Sequence, residues 1–324
     1  MKRFVLIFVL VAFAAAAGFS QQYYFDQSKL LKPVTKTLKF VFIAKLIHPW
    51  YKDVEYGAAA AIAEFKKQGL NIEMKWDSPA TADINEHVKK IEANISARPD
   101  GIAVACLDPA TDTQVLNDAV AAGLNVITFD TDAPNSKRLM YVGHNGDYED
   151  GYKCAEILFK KIGGQGEVGV MVGSLGAPNH VNRVKGFKDA LAKYPNVKLV
   201  FEAPDNDDLQ KSMDLTESAL QAHPNVKGIY CNNAANGIGT PRVIKNAGLG
   251  GKIVVIADSL MPEQIQLIKD GVIYMGNAQR QWDEGYWSVK YMVALNQNHT
   301  VPAIHETGAM LVTKEDLLKW GILK

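Results

Sequence analysis

Residues 39–67 read KFVFIAKLIHPWYKDVEYGAAAAIAEFKK, and this stretch decides the fold. It begins with a short apolar run at Phe40–Ala44 and continues, after a turn, with apolar residues at helical spacing over Val54–Lys67. A strand of about four to eight residues followed by a helix is the repeating unit of a parallel sheet. The segment therefore predicts one strand–helix unit, and the rest of the chain repeats it.

The strand–helix unit recurs in two series with similar spacing along the chain. Further strands of the first series are predicted at Asn71–Trp76, Gly101–Leu107 and Asn125–Phe129, with a helix over Ile84–Ala97. The second series has predicted strands at Glu167–Val172, Val197–Glu202, Val226–Cys231, Lys252–Ala257 and Val272–Gly276, and helices over Val181–Lys193, Leu209–Ala222 and Pro262–Asp270. The pattern predicts an α/β protein with two doubly wound parallel-sheet lobes, joined near Tyr141–Gly146.

Composition excludes several classes of protein. The 324 residues are 48% hydrophobic and 22% charged, and 35 basic side chains balance 35 acidic ones. This composition opposes long disorder, and a net charge of zero opposes a dedicated nucleic-acid binder. Three widely spaced cysteines, Cys106, Cys154 and Cys231, predict buried free thiols rather than a disulfide framework.

The first twenty residues predict a secretory signal peptide. Lys2 and Arg3 precede an uncharged apolar run over Phe4–Ala17, and small residues follow up to Ser20. The run is too short for a membrane span, which needs about 20 apolar residues. No cysteine near its end offers a lipid attachment site, so we expect a soluble periplasmic or secreted protein with residues 1–20 removed.

Polar and aromatic side chains follow the predicted strands at the edge where parallel sheets bind ligands. These residues are Lys45, His48, Trp50, Tyr51, Asp130, Asp132, Asn233, Asp258 and Gln279. Taken singly, an Asp or Asn here can also cap the next helix. As a set, they suit a neutral polyol, because carboxylates and amides bind hydroxyls while aromatic rings pack on C–H faces.

Motifs for other chemistry fail in context. GQGEVG at 164–169 precedes a predicted strand, whereas a dinucleotide fingerprint follows one. The segment 205–216 lacks the glycine and glutamate of a calcium loop, and the seven histidines lack metal-ligand spacing. Of these histidines we place only His48 at the site. We expect no enzyme activity, cofactor or metal site.

Several short strings together resemble periplasmic sugar-binding proteins of the ribose/galactose type, also called type I periplasmic binding proteins. In chain order they are Leu46–Tyr51, Val126–Asp130, Arg183–Phe187, Ala222–Pro224, Cys231–Asn233 and Val254–Asp258. The resemblance covers residues 36–313 and is closest to members for glucose or xylose, ribose and myo-inositol. It departs at Thr131, where ribose binders often carry Arg, and at 206–208, where an aromatic often closes the site.

The resemblance implies a division of the chain and a binding site. The N-terminal lobe would comprise 36–143 and 281–306, and the C-terminal lobe 146–278 and 309–324. Hinge crossings would fall near 144–145, 279–280 and 307–308. Asn179, Arg183 and Asp207 would join the strand-end residues around the ligand. On this interpretation, Arg183→Ala or Asp258→Ala weakens binding by about one to two decades without unfolding the protein.

The function implied is capture of a neutral monosaccharide or cyclic polyol between the lobes. The departures at Thr131 and 206–208 favour a hexose, xylose or myo-inositol over ribose. The resemblance implies a monomer that delivers its ligand to a permease of the ATP-binding-cassette (ABC) class. A sensor feeding a chemoreceptor or signalling receptor is the alternative left open, and an exported α/β enzyme is a remote one. No nucleic-acid partner is expected.

Overall fold

The computed structural model describes residues 34–323, so the predicted signal peptide at 1–20 lies outside the described residues. The strands are β1 Leu38–Ile43, β2 Ile72–Trp76, β3 Gly101–Val104, β4 Val126–Phe129, β5 Met140–Gly143, β6 Gly166–Val172, β7 Val197–Pro204, β8 Val226–Cys231, β9 Val254–Asp258, β10 Met275–Gln279, β11 Ile304–Glu306 and β12 Ala309–Thr313. The helices are α1 Tyr51–Lys67, α2 Ile84–Ala97, α3 Pro109–Ala121, α4 Asp147–Lys161, α5 Pro178–Leu191, α6 Leu209–Ala222, α7 Asn236–Asn246, α8 Pro262–Lys269, α9 Gln281–Asn296 and α10 Lys314–Lys319.

The strands form two six-stranded sheets of matching order. One runs β11-β5-β4-β3-β1-β2 and the other β12-β10-β9-β8-β6-β7. Pairing is parallel throughout, except that β12 runs antiparallel to β10. Central strands such as β3 and β4 are buried along their whole length, since helices cover both faces of each sheet. The prediction of two doubly wound α/β lobes is therefore confirmed.

The chain passes between the two sheets three times. We call the sheet containing β1, with α1 to α3 and α9, the N-terminal lobe, and the rest the C-terminal lobe. The passages lie between β5 and α4, between β10 and α9, and between β11 and β12. The lobes also touch, because Ala234 of the C-terminal lobe packs in the hydrophobic core of the N-terminal one.

One predicted strand is displaced, and the reason is local. Val272–Gly276 was predicted, whereas β10 begins at Met275. Gly271, at φ +74°, turns the chain after α8, and Val272 and Ile273 pack into the core from this loop. The hydrophobic character of Val272 and Ile273 therefore reflects their burial, and these residues do not form part of the strand.

The described residues agree with one further expectation. All three cysteines are buried free thiols, as predicted. Within residues 34–323, no helix is both long and apolar enough to cross a membrane.

Candidate functional site

A small cavity of about 40 Å³ lies between the two lobes and is lined by residues of both. It contains ten of the twelve residues predicted from the sequence; Asp132 and Asp258 are not in its lining. The lining residues are Lys45, Leu46, His48, Trp50, Tyr51, Asp130, Asn179, His180, Arg183, Asp207, Asn233, Ala234, Ser259 and Gln279.

On the N-terminal lobe, Asp130 is the centre of a fixed polar group. Lys45 Nζ lies 3.1 Å from Asp130 Oδ2, and Tyr51 Oη donates to the same oxygen at 2.7 Å. Asp130 follows β4 in the left-handed region, at φ +56°, and Tyr141 Oη donates to its carbonyl oxygen at 2.8 Å. These contacts fix the carboxylate against the cavity and pair it with a cation.

The aromatic wall of the cavity comes from the same lobe. Trp50 and Tyr51 open α1, and their rings meet edge to face with centroids 4.9 Å apart. The Tyr51 ring packs against Phe129 and Trp76, at 6.1 and 6.5 Å between centroids. Tyr51 is thus anchored in the core, and the ring of Trp50 lies beside it in the cavity lining.

Arg183 of α5 is the charged anchor of the C-terminal lobe. Its Nη2 lies 2.7 Å from Asp147 Oδ1 and its Nη1 lies 3.1 Å from Asp258 Oδ2, while Nη1 donates to the Asn232 carbonyl at 2.9 Å. Burial alone would lower the pKa of Arg183, but Asp258 and Asp147 raise it well above its usual value. The guanidinium therefore stays charged although only 2% of the residue is exposed.

Asp258 lies behind Arg183 rather than in the cavity wall. Its carboxylate accepts from Tyr230 Oη at 3.1 Å and from Asn277 Nδ2 at 2.9 Å. Burial raises its pKa to about 6, although Arg183 opposes the shift. Asp258, predicted from the sequence as a ligand-binding residue, thus lies behind Arg183 in this structure and contacts it directly.

A second acidic group sits at the end of β7. Asn233 Nδ2 donates to Asp205 Oδ1 at 3.1 Å and to Asp207 Oδ1 at 2.8 Å, and Asn236 Nδ2 donates to Asp205 Oδ2 at 2.8 Å. Burial, followed by the nearby charge of Asp207, raises the pKa of Asp205 to about 7. The amides of Asn233 and Asn236 hold the pair in place and leave Asp207 at the cavity.

Two imidazoles of fixed tautomer face the cavity, one from each lobe. His48 Nδ1 accepts from the Trp50 amide at 3.1 Å, and His180 Nδ1 accepts from the Ser174 amide at 3.0 Å. Burial lowers the pKa of His48 and lowers that of His180 well below the usual value. Both rings are therefore neutral with the proton on Nε2, and each is a hydrogen-bond donor.

Asp132, also predicted from the sequence as a ligand-binding residue, is bound by residues of its own lobe in this structure. Arg138 binds this carboxylate through two nitrogens, Nε and Nη2, the latter at 2.5 Å, and Thr128 Oγ1 donates to it at 2.6 Å. Its oxygens are used by residues of its own lobe, and it lies outside the cavity lining. Asp132 follows the end of a strand, as several site residues do, but its carboxylate forms an ion pair with Arg138.

Sequence reasoning missed four lining residues, of which His180 matters most. We placed only His48 among the histidines at the site, yet His180 is 3% exposed and lines the cavity. Its position in the first turn of α5, three residues before Arg183, was the available signal, since residues at that spacing share a helix face. The others are Leu46, Ala234 and Ser259.

The molecule has two sheets of matching strand order, and the chain passes between them three times. A polar cavity with an aromatic wall lies between the two lobes. This architecture is that of a two-lobed receptor for small solutes. A profile of the periplasmic binding protein domain matches residues 40–299. The chain belongs to this family, as a periplasmic sugar-binding protein of the ribose/galactose type.

Individual relatives agree with that assignment. A D-allose-binding periplasmic protein of Escherichia coli is 27% identical over 263 residues, which is 78% of this chain and 82% of the relative. The solved structure of an ABC-transporter solute-binding protein from Burkholderia graminis, with D-arabinose, is 33% identical at a TM-score of 0.82 and covers 88% of this chain and 98% of its own. A glucose-galactose binding protein of Geobacillus stearothermophilus is 28% identical at a TM-score of 0.79, covering 87% and 99%.

Proposed function

We propose that this protein is an exported receptor that captures a neutral monosaccharide or cyclic polyol between its lobes. Residues 1–20 direct it out of the cytoplasm. The closed, loaded form is then recognised by an ABC permease. The relatives named for allose and for glucose and galactose, and the one solved with D-arabinose, support pentoses and hexoses as the first ligands to test.

The observation that carries this proposal is a set of buried polar atoms without hydrogen-bond partners on residues that line the cavity. Asn179 Oδ1, Arg183 Nε and Asp207 Oδ2 are buried, and none has a hydrogen-bond partner among residues 34–323. Buried polar groups are normally satisfied, and each exception calls for an explanation. Two acceptors and one donor on residues of one cavity wall match a ligand with several hydroxyl groups.

The pairing of charges favours a neutral ligand. The two cations of the cavity already have carboxylate partners: Lys45 with Asp130, and Arg183 with Asp147 and Asp258. An anionic ligand would have to compete with these buried pairs. A polyol instead adds hydrogen bonds to them without disturbing the charge balance.

The three passages between the lobes support capture by hinge closure. Residues of both lobes line one cavity, so a ligand there contacts both only when the lobes are together. Such a ligand binds the closed form better and shifts the population toward it. The permease then distinguishes loaded from empty receptor by shape.

We expect a thermal-shift panel of pentoses, hexoses and inositols to identify at least one stabilising ligand. A ligand at 100 times its dissociation constant adds about 2.7 kcal/mol to the free energy of unfolding. Isothermal titration calorimetry on the hits measures stoichiometry, which should be one per chain. A flat response across the whole panel contradicts the proposed function.

Asp130→Asn should weaken sugar binding by about 10- to 100-fold, because it removes a charged acceptor from the cavity wall. The matched control is Asp132→Asn, two residues further on, whose carboxylate binds Arg138 outside the cavity. The control should lower thermal stability and leave the dissociation constant within about twofold, measured by calorimetry. Equal losses of affinity in the two variants would contradict the placement of the site.

A further inference from the structure

We propose that His144 is a positioning residue for ligand capture: its protonated ring bridges the two lobes at the hinge, and sugar affinity falls when the ring loses its proton. This inference rests on the proposed sugar-binding function and deepens it. The basis is the place of the ring, which lies in the first passage, between β5 and α4, and contacts a carboxylate of each lobe.

The two ring nitrogens of His144 have partners in different lobes. Nδ1 lies 2.7 Å from Oε1 of Glu306, the last residue of β11 in the N-terminal lobe. Nε2 lies 2.8 Å from Oδ2 of Asp150, in the first turn of α4 in the C-terminal lobe. A neutral imidazole carries a proton on one nitrogen only, so it donates to one carboxylate and turns a lone pair toward the other. Both contacts are hydrogen bonds only when the ring is protonated.

The two carboxylates of this bridge are tied to all three passages. Glu306 also accepts from the backbone amides of Asn145 at 3.0 Å and Gly308 at 3.2 Å, which lie in the first and third passages. Asp150 also accepts from Asn277 Nδ2 at 2.9 Å, on the strand that leads to the second passage. Rotation of one lobe against the other about these passages moves Glu306 relative to Asp150. One imidazole cannot stay within hydrogen-bond length of both carboxylates as they separate, so the bridge belongs to the form in which the lobes are together.

A chain of buried contacts joins the bridge to the ligand cavity. The Asn277 amide that donates to Asp150 also donates to Asp258 Oδ1 at 2.9 Å. Asp258 Oδ2 in turn lies 3.1 Å from Nη1 of Arg183, which lines the cavity. The hinge histidine and the cavity arginine are thus the two ends of one polar network, and the position of Asp150 affects the support of a residue that faces the ligand.

The charges around the His144 ring favour its protonated form. Burial alone would lower the pKa of His144, but hydrogen bonds to Asp150 and Glu306, together with the nearby charge of Asp147, raise it to about 9. The other charged or titratable side chains next to these groups are already paired or neutral: Arg183 pairs with Asp147, Arg280 pairs with Asp283, and burial lowers the pKa of His305, beside Glu306. The surroundings of the ring are therefore acidic on both sides of the hinge.

Proton binding and ligand binding are linked through this bridge. With the lobes together the pKa of the ring is about 9, and it falls toward the usual value of 6.5 when the carboxylates move apart. The protonated ring therefore favours the closed form. Its contribution is complete below about pH 6.5 and is lost as pH rises through about 9. Since a ligand closes the lobes, its binding takes up a fraction of a proton between these two pH values.

Calorimetry tests the linkage with whichever of D-allose, D-arabinose, D-glucose and D-galactose binds the wild type most tightly. Affinity should fall about tenfold from pH 7 to pH 10, because a charge-assisted hydrogen bond at a partly exposed hinge is lost. At pH 8, titrations in buffers of different ionisation enthalpy should show proton uptake on binding, a measurement that needs no variant. A change in affinity of less than about twofold, or binding without proton uptake, overturns this inference alone. No binding by any of these sugars overturns the proposed function with it.

His144→Gln is the variant that identifies the titrating group. It should bind sugar at both pH values about as weakly as the wild type does at pH 10, without proton uptake at pH 8. Glu306→Gln keeps the ring but removes one carboxylate, and should move the midpoint of the pH dependence to lower pH. The control is His223→Gln, where the imidazole stacks on Phe201 at the end of α6, and it should retain the affinity and pH dependence of the wild type. A pH dependence that survives in His144→Gln comes from another group and overturns the proposal.

Discussion

Replacing Arg183 with methionine is expected to lower the free energy of unfolding by about 3–5 kcal/mol, as well as abolishing tight ligand binding. The side chain is buried between the carboxylates of Asp147 and Asp258, and its removal leaves both without their cation. From the sequence, loss of Arg183 was expected to weaken binding without affecting the fold. Burial changes that expectation, and urea denaturation with and without ligand separates the two effects.

Two comparisons make the Arg183 result specific. Arg242→Met removes an arginine of α7 that pairs with Glu263 at 2.6 and 2.7 Å but is well exposed, so its loss should cost no more than about 1 kcal/mol. Adding Asp258→Asn to Arg183→Met should recover part of the stability, because it removes one uncompensated charge. Similar small losses for Arg183→Met and Arg242→Met would contradict the buried ion-pair account.

The sequence predicted most strands because parallel strands buried on both faces read as apolar runs. The strands it did not list, β5, β11 and β12, are short or mixed in polarity. Their place in the sheets depends on residues far along the chain, as in the pairing of Ile304 with Tyr141. Local pattern carries no information on such contacts.

The sequence identified side chains that follow strands as candidate site residues. It did not identify the residues that these side chains contact. Asp130 and Asn233 follow β4 and β8, so topology alone brings them to one edge. Asp132 follows β4 too, but Arg138 uses its carboxylate. Whether a carboxylate faces a ligand or an arginine depends on three-dimensional partners that spacing does not reveal.

The passages between the lobes are tied together by one histidine. His144 Nδ1 lies 2.7 Å from Glu306 Oε1, and His144 Nε2 lies 2.8 Å from Asp150 Oδ2. Asp150 also accepts from Asn277 Nδ2 at 2.9 Å, on the strand that leads to the second passage. Burial alone would lower the pKa of His144, but hydrogen bonds to Asp150 and Glu306 raise it to about 9.

His144→Gln is therefore expected to destabilise the protein in a pH-dependent way. Because the folded pKa of about 9 exceeds the usual value of 6.5, the protonated ring stabilises the fold fully below about pH 6.5. This contribution is lost as pH rises through about 9. We expect a stability difference between wild type and variant of roughly 2 kcal/mol at pH 6, reduced from the full shift by solvent screening at a partly exposed site.

Urea denaturation of both proteins at pH 6 and pH 10 measures this difference, which should shrink to near zero at the higher pH. The control is His223→Gln, at the end of α6, where the imidazole stacks on Phe201 and no carboxylate partner is found among residues 34–323. Its effect should be the same at both pH values. A stability gap for His144→Gln that persists at pH 10 would show that the ring acts by packing, since a charge bridging Asp150 and Glu306 must disappear on deprotonation.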